Sequence, residues 1–130
     1  MRLEIFTLCD SVQNYSGKLV VVGAMNSISV PAVPVMISNL SVAIRMVFEY
    51  GEDMPSTYQV SITKPQGGIL VETTAITPDV KQPAEGDFST VDFNFGLNNV
   101  RLDEFGTYII KMTADDQVYD TKFLVKSLKK

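Results

Sequence analysis

Histidine and tryptophan are absent from the chain, and cysteine occurs once, as Cys9. Without histidine, the commonest general base near neutral pH and the commonest metal ligand are both missing. Zinc would have to be held by one thiol and carboxylates, an unusual donor set. A single cysteine excludes an intramolecular disulfide. Small secreted β-domains often depend on such staples, so a reducing cytoplasm is the expected compartment. Long apolar runs are missing as well. Residues 19–44 carry no charge, yet Gly23, Asn26, Pro31, Pro34 and Asn39 interrupt them and their longest apolar run is 19–22. A spanning helix needs about twenty predominantly apolar residues, so no membrane span is expected. The opening Met1-Arg2-Leu3-Glu4 reaches Asp10 without an apolar stretch of signal-peptide length, which reads as the start of an intact cytoplasmic protein.

Positive charge is in short supply. Eleven Lys and Arg are scattered among fifteen Asp and Glu, for a net charge of −4. A polyanion needs a basic stripe, so nucleic acid is not an expected partner. The ending Lys126-Ser127-Leu128-Lys129-Lys130 reads as a solvated basic end. Gly17-Lys18 and Gly67-Gly68 lack the longer glycine frame and the following helix of a phosphate loop. No cofactor is expected.

What the chain does have is alternation with a period of two. Leu40, Val42, Ile44, Met46, Phe48 and Tyr50 point to one side, against Ser41, Arg45 and Glu49. The same pattern places Val60, Phe93, Tyr108, Ile110 and Phe123 inward with Phe48. Strands are expected near 3–9, 18–23, 26–30, 40–50, 57–63, 69–75, 88–97, 107–114 and 118–125. Turn chemistry separates them: Lys64-Pro65-Gln66-Gly67-Gly68 reads as one hairpin turn and Asp115-Asp116-Gln117 as another. No segment shows a 3.6-residue stripe. At 130 residues this is one all-β domain over 1–130, with short antiparallel strands in a sandwich or barrel.

The sandwich is favoured by residues 97–108, Leu-Asn-Asn-Val-Arg-Leu-Asp-Glu-Phe-Gly-Thr-Tyr. They resemble the tyrosine corner of immunoglobulin-like domains, in which a tyrosine hydroxyl bonds back to loop backbone. Ile110 stands where an antibody domain has cysteine, and a plain β-arch is the alternative. The fold expected is thus an immunoglobulin-like antiparallel β-sandwich of about seven to nine strands. End to end, the chain also resembles a family of uncharacterised small bacterial β-domains. The resemblance rests on Leu3-Glu4-Ile5-Phe6-Thr7-Leu8-Cys9-Asp10, Gly17-Lys18-Leu19, Val22-Gly23, Ala43-Ile44-Arg45 and Phe105-Gly106-Thr107-Tyr108. It implies a small, cytoplasmic, β-rich protein and no particular activity.

Chemistry has few places to reside. Cys9 has Asp10 beside it, whose charge disfavours a thiolate, and alternation along 3–9 buries it on an internal strand. The pairs Glu52-Asp53, Asp103-Glu104 and Asp115-Asp116 fall in loops, where they can serve as turn acids or as calcium ligands. The Asp-x-Asp-x-Asp spacing is absent. The uncharged segment 25–37 carries Met25, Ile28, Val30, Val33, Val35, Met36 and Ile37 around two prolines. Prolines confine it to edges and loops, so it either folds over its own core or forms an interface. The expected function is a non-catalytic protein-binding or assembly module, with a protein partner or a second copy of the chain. The alternative is a carboxylate-based calcium site or an enzyme without a recognisable motif.

Overall fold

Alternation becomes strand along most of the chain in the computed structural model, which describes residues 1–128. Ten strands and no helix are present among them: β1 (Arg2–Cys9), β2 (Ser11–Tyr15), β3 (Lys18–Val22), β4 (Ser27–Val30), β5 (Val35–Glu49), β6 (Tyr58–Thr63), β7 (Ile69–Glu72), β8 (Phe88–Leu102), β9 (Gly106–Ala114) and β10 (Gln117–Ser127). They form a sheet β1-β5-β8, a sheet β4-β10-β9-β6-β7 and the hairpin β2-β3. Among the described residues, accordingly, no helix is long and apolar enough to cross a membrane. Lys129 and Lys130, part of the basic ending, lie outside the described residues.

The two larger sheets share one core. Val42, Ile44, Met46, Phe48 and Val91 come from the first, Val60, Ile62, Tyr108, Ile110 and Phe123 from the second. One aromatic contact joins the layers, the Tyr58 and Phe93 rings lying 5.1 Å apart across the core, while Tyr108 stacks on its cross-strand neighbour Phe123 at 5.0 Å within the second sheet. Such pairs add about 0.5–1.5 kcal/mol beyond their burial. The loop before β9 closes as its residues indicate: the Tyr108 hydroxyl donates to the Glu104 carbonyl at 2.9 Å and accepts the Glu104 N–H at 3.2 Å.

The hairpin β2-β3 lies over the outer face of the first sheet and builds a second, smaller core. Cys9, Val12 and Ala43 are buried there, with Ile5, Leu19 and Val21 packed against them. Asn94 Nδ2 donates to the Val12 carbonyl at 2.8 Å and ties the hairpin down. Cys9 is therefore covered by a hairpin, although β1 is an edge strand of its sheet rather than an internal one.

Four further expectations need correction. Strand β2 joins the nine expected strands, so the count exceeds seven to nine; Val12 is its only buried residue, and one inward side chain leaves no alternation to read. Strand β4 pairs parallel to β10, so the larger sheet is not purely antiparallel. Tyr50 is 57% exposed, because β5 ends at Glu49 and the chain turns before the next inward position. Finally, β5 and β8 reach further than 40–50 and 88–97, because they exchange faces together. Leu40 and Leu97 face the core, Ser38, Asn39, Asn98 and Asn99 are exposed, and beyond them Val35, Ile37, Val100 and Leu102 pack inward. Asn99, at φ 55°, accommodates the change on its strand.

Candidate functional site

The segment 25–37 is largely consumed by the protein's own core. Val30 is buried, and Met25, Ile28, Val33, Val35 and Ile37 pack against the main core. Of its seven large apolar side chains only Met36 is exposed, at 59%. The segment runs from Met25, whose N–H donates to the Leu8 carbonyl at 2.8 Å, through β4 to β5. It thereby bridges one side of the gap between the two sheets, and its prolines Pro31 and Pro34 lie in the crossing.

The acidic pairs hold loops. Asp115 accepts the N–H groups of Ser56 at 3.1 Å and Thr57 at 3.0 Å, tying the loop before β6 to the turn between β9 and β10. Glu52 accepts the Glu49 N–H at 3.0 Å. Glu104 accepts the Gln66 N–H at 3.0 Å, and Asp103 pairs with Lys64 at 3.3 Å. Glu52, Asp53, Asp115 and Asp116 do line one cleft of about 530 Å³ beside Met54 and Tyr119. Among the described residues, however, no group of three or more His, Cys, Asp or Glu side chains is placed to hold a metal ion. Cys9 is fully buried, with Sγ 3.5 Å from the Ser41 carbonyl. Burial pushes its thiol pKa up, and the Asp10 charge adds to the shift, which is the reverse of nucleophile activation.

The gap between the sheets is open on its other side. There β7 and β8 are the last strands of their sheets. The connection 73–87 covers the start of β8: Ser89 Oγ donates to the Lys81 carbonyl at 2.9 Å, Val80 packs on the core and Pro83 is buried. Residues 95–101 are left facing β7 across a groove of about 560 Å³. Ile69, Leu70 and Val71 form one bank, Phe95, Leu97 and Val100 the other. The Lys64–Asp103 pair closes the end where β7 begins and β8 finishes, so the two strands run antiparallel across the groove.

The edges of these sheets are not equally protected. A free strand edge templates pairing with another chain, and shortness, charge, proline or a bulge normally blunts it. Strands β4 and β7 have four residues each. Strand β1 carries Arg2 and Glu4 and shifts register between Leu3 and Ile5. Strand β8 has fifteen residues, with no lysine or proline among them. Of its two charges, Asp92 is held by Arg45 through bonds of 2.8 and 3.0 Å. The other is Arg101, on the open stretch. Sequence reasoning missed this site. Its one local signal, a long strand without lysine or proline, acquires meaning only once the strand is known to be an edge.

Comparison with known proteins returns one family model, described as a family of unknown function (DUF6941), which matches residues 4–125. No curated protein matches the chain. The match agrees with the resemblance to an uncharacterised family carried by the opening strand and the 105–108 turn.

Proposed function

Because the chain belongs to DUF6941, a family of unknown function, we propose its role from its own surface: a non-catalytic protein-binding or assembly module that works through the open edge of β8. One observation carries the reading: residues 95–101 combine a free strand edge with an apolar groove, on a fifteen-residue strand that has no lysine or proline. An added strand gains main-chain hydrogen bonds from such an edge and side-chain pockets from the groove. The lack of histidine and the buried, protonated Cys9 support a role without catalysis. The same lone thiol supports a reducing, cytoplasmic setting. The shared core of two sheets and the Tyr108–Glu104 hydroxyl bond support an immunoglobulin-like reading of the sandwich, to which the hairpin β2-β3 and the parallel β4 are additions.

The test is site-specific photo-crosslinking in cells. A photoreactive amino acid at Asn98, exposed on the open stretch, should capture a protein, while the same group at Val20 on the hairpin should not. Absence of any adduct from position 98, with the chain itself or another protein, would overturn the reading.

A further inference from the structure

We infer that the outer face of the first sheet carries a binding site for a neutral, hydroxyl-rich ligand, a sugar or related polyol. The site is the cleft between the base of the hairpin β2-β3 and the place where β5 and β8 exchange faces. It is separate from the pairing edge of β8, whose groove opens between the two sheets.

The exchange of faces builds one wall. It leaves Ser38 and Asn39 exposed in succession on β5, and Asn39 sits opposite Asn98 in the ladder. The foot of the hairpin builds the other wall. The chain leaves β1 at Cys9, and the Asp10 N–H donates to the Val22 carbonyl at 3.0 Å, which fixes Asp10 and Ser11 where the hairpin begins. Gly23 makes room for the acid, because a β-carbon there would collide with the Asp10 carboxylate. Between the walls lies the cross-strand pair Ser41 and Gly96. Gly96 has open space where a β-carbon would stand, so the floor is bare backbone. The cleft measures about 500 Å³, within the range of small-molecule sites.

Six polar side chains line it: Asp10, Ser11, Ser38, Asn39, Ser41 and Asn98. None of these side chains makes a hydrogen bond or ion pair among the described residues. The loop acids Glu52, Glu104 and Asp115, by contrast, are all engaged with backbone N–H groups. Ser41 is the one buried polar residue among those described, at 8% exposure. No fully covered side-chain oxygen or nitrogen there lacks a partner, so its unbonded hydroxyl opens into the cleft.

The donor set selects the ligand. No base lines the cleft, so an anion finds no opposite charge. A cation would suit Asp10 and the other oxygens but would leave the N–H groups of Asn39 and Asn98 without acceptors. Hydroxyl groups donate and accept at once. Their protons answer the carboxylate, their oxygens answer the carboxamide N–H groups, and the serines serve either way. The bond to Asp10 is charge-assisted and therefore the strongest of the set.

Titration with free glucose, galactose, mannose and N-acetylglucosamine, read by amide NMR, tests the inference beside an array of immobilised neutral oligosaccharides. A free sugar should bind with a dissociation constant on the order of millimolar. It should shift the side-chain amides of Asn39 and Asn98 and the backbone amide of Gly96. Asp10→Asn should weaken binding roughly tenfold, through loss of the charged acceptor. Gly96→Val should abolish it by filling the floor. The added β-carbon meets no atom of the chain within 4 Å, so both variants should keep the wild-type melting temperature. Binding of a free sugar supports the site and assigns it to a small metabolite; binding on the array alone supports it and assigns it to a glycan chain. No binding in either arm, with free sugars at about 50 mM, overturns the inference, as does binding that neither substitution weakens. Putrescine that shifts the three amides where no sugar does overturns the neutral ligand.

Discussion

The ring of Pro65 lies 3.1 Å from the point where a β-carbon on Gly106 would stand. Gly106 opens β9 at φ 125°, a conformation that side chains rarely adopt. Two independent costs therefore oppose any larger residue there. Gly106→Ala should lose about 1–3 kcal/mol in urea unfolding, through backbone strain plus the contact with Pro65. In a Pro65→Gly background the loss should shrink without vanishing, because the steric part is relieved and the φ is not. Equal losses in both backgrounds would show that the close approach contributes nothing.

Substitutions in the segment 25–37 should separate core from surface. Val33 packs against the main core and Met36 is exposed, three residues apart on one chain. Val33→Asp should cost several kcal/mol, on the order of 2–4, because an unpaired charge enters apolar surroundings. Met36→Asp should change stability by less than about 0.5 kcal/mol and leave the oligomeric state as it was. A folded Val33→Asp variant that shifts to a smaller species would instead revive the segment as an interface.

The inward residues were legible because alternation records which way a side chain faces. Phe48, Val60, Tyr108, Ile110 and Phe123 are all buried, and Phe93 is half-buried against Tyr58. Alternation does not record which strand lies alongside. Nothing local in Ser27–Val30 states that its partner is the last strand, in parallel. The exchange of faces at Ser38–Asn39 reads as a strand end in one dimension; it is a continuation only because Asn98–Asn99 turns over at the same place. The open groove was illegible for a related reason. Being an edge is a property of sheet order, and no residue of β8 carries it alone.

Thiol labelling reports on the hairpin β2-β3. Cys9 is fully buried, its pKa raised by burial and then by Asp10. Native protein near neutral pH should react slowly, at a rate set by opening of the hairpin over Cys9 and Val12. Val12→Ala removes about 1–2 kcal/mol of burial from this small core. It should speed labelling by roughly five- to thirtyfold if local opening is the route. Rapid stoichiometric labelling of wild-type protein would contradict the burial and restore Cys9 as a candidate nucleophile.

Alkaline pH should unfold the protein through Tyr58. Its side chain is 1% exposed, and burial, followed by the nearby Asp115 charge, pushes its pKa from 10 to about 12. Tyr108 shifts in the same direction, again chiefly by burial. In both cases the fold holds the neutral phenol, while the unfolded chain releases the proton at lower pH. The contribution to stability is therefore complete below the unfolded pKa near 10 and is lost as pH rises through the folded value. Across the window from 10 to about 12, Tyr58 should contribute a slope approaching ~1.4 kcal/mol per pH unit. Urea unfolding at successive pH values measures that slope, and phenolate absorbance from the buried tyrosines should appear together with the loss of β-sheet circular dichroism. Tyr58→Phe should flatten the decline, leaving the part due to Tyr108. A variant that keeps the full slope would move the alkaline transition to other groups, and phenolate absorbance rising ahead of unfolding would show that these hydroxyls reach solvent in the folded state.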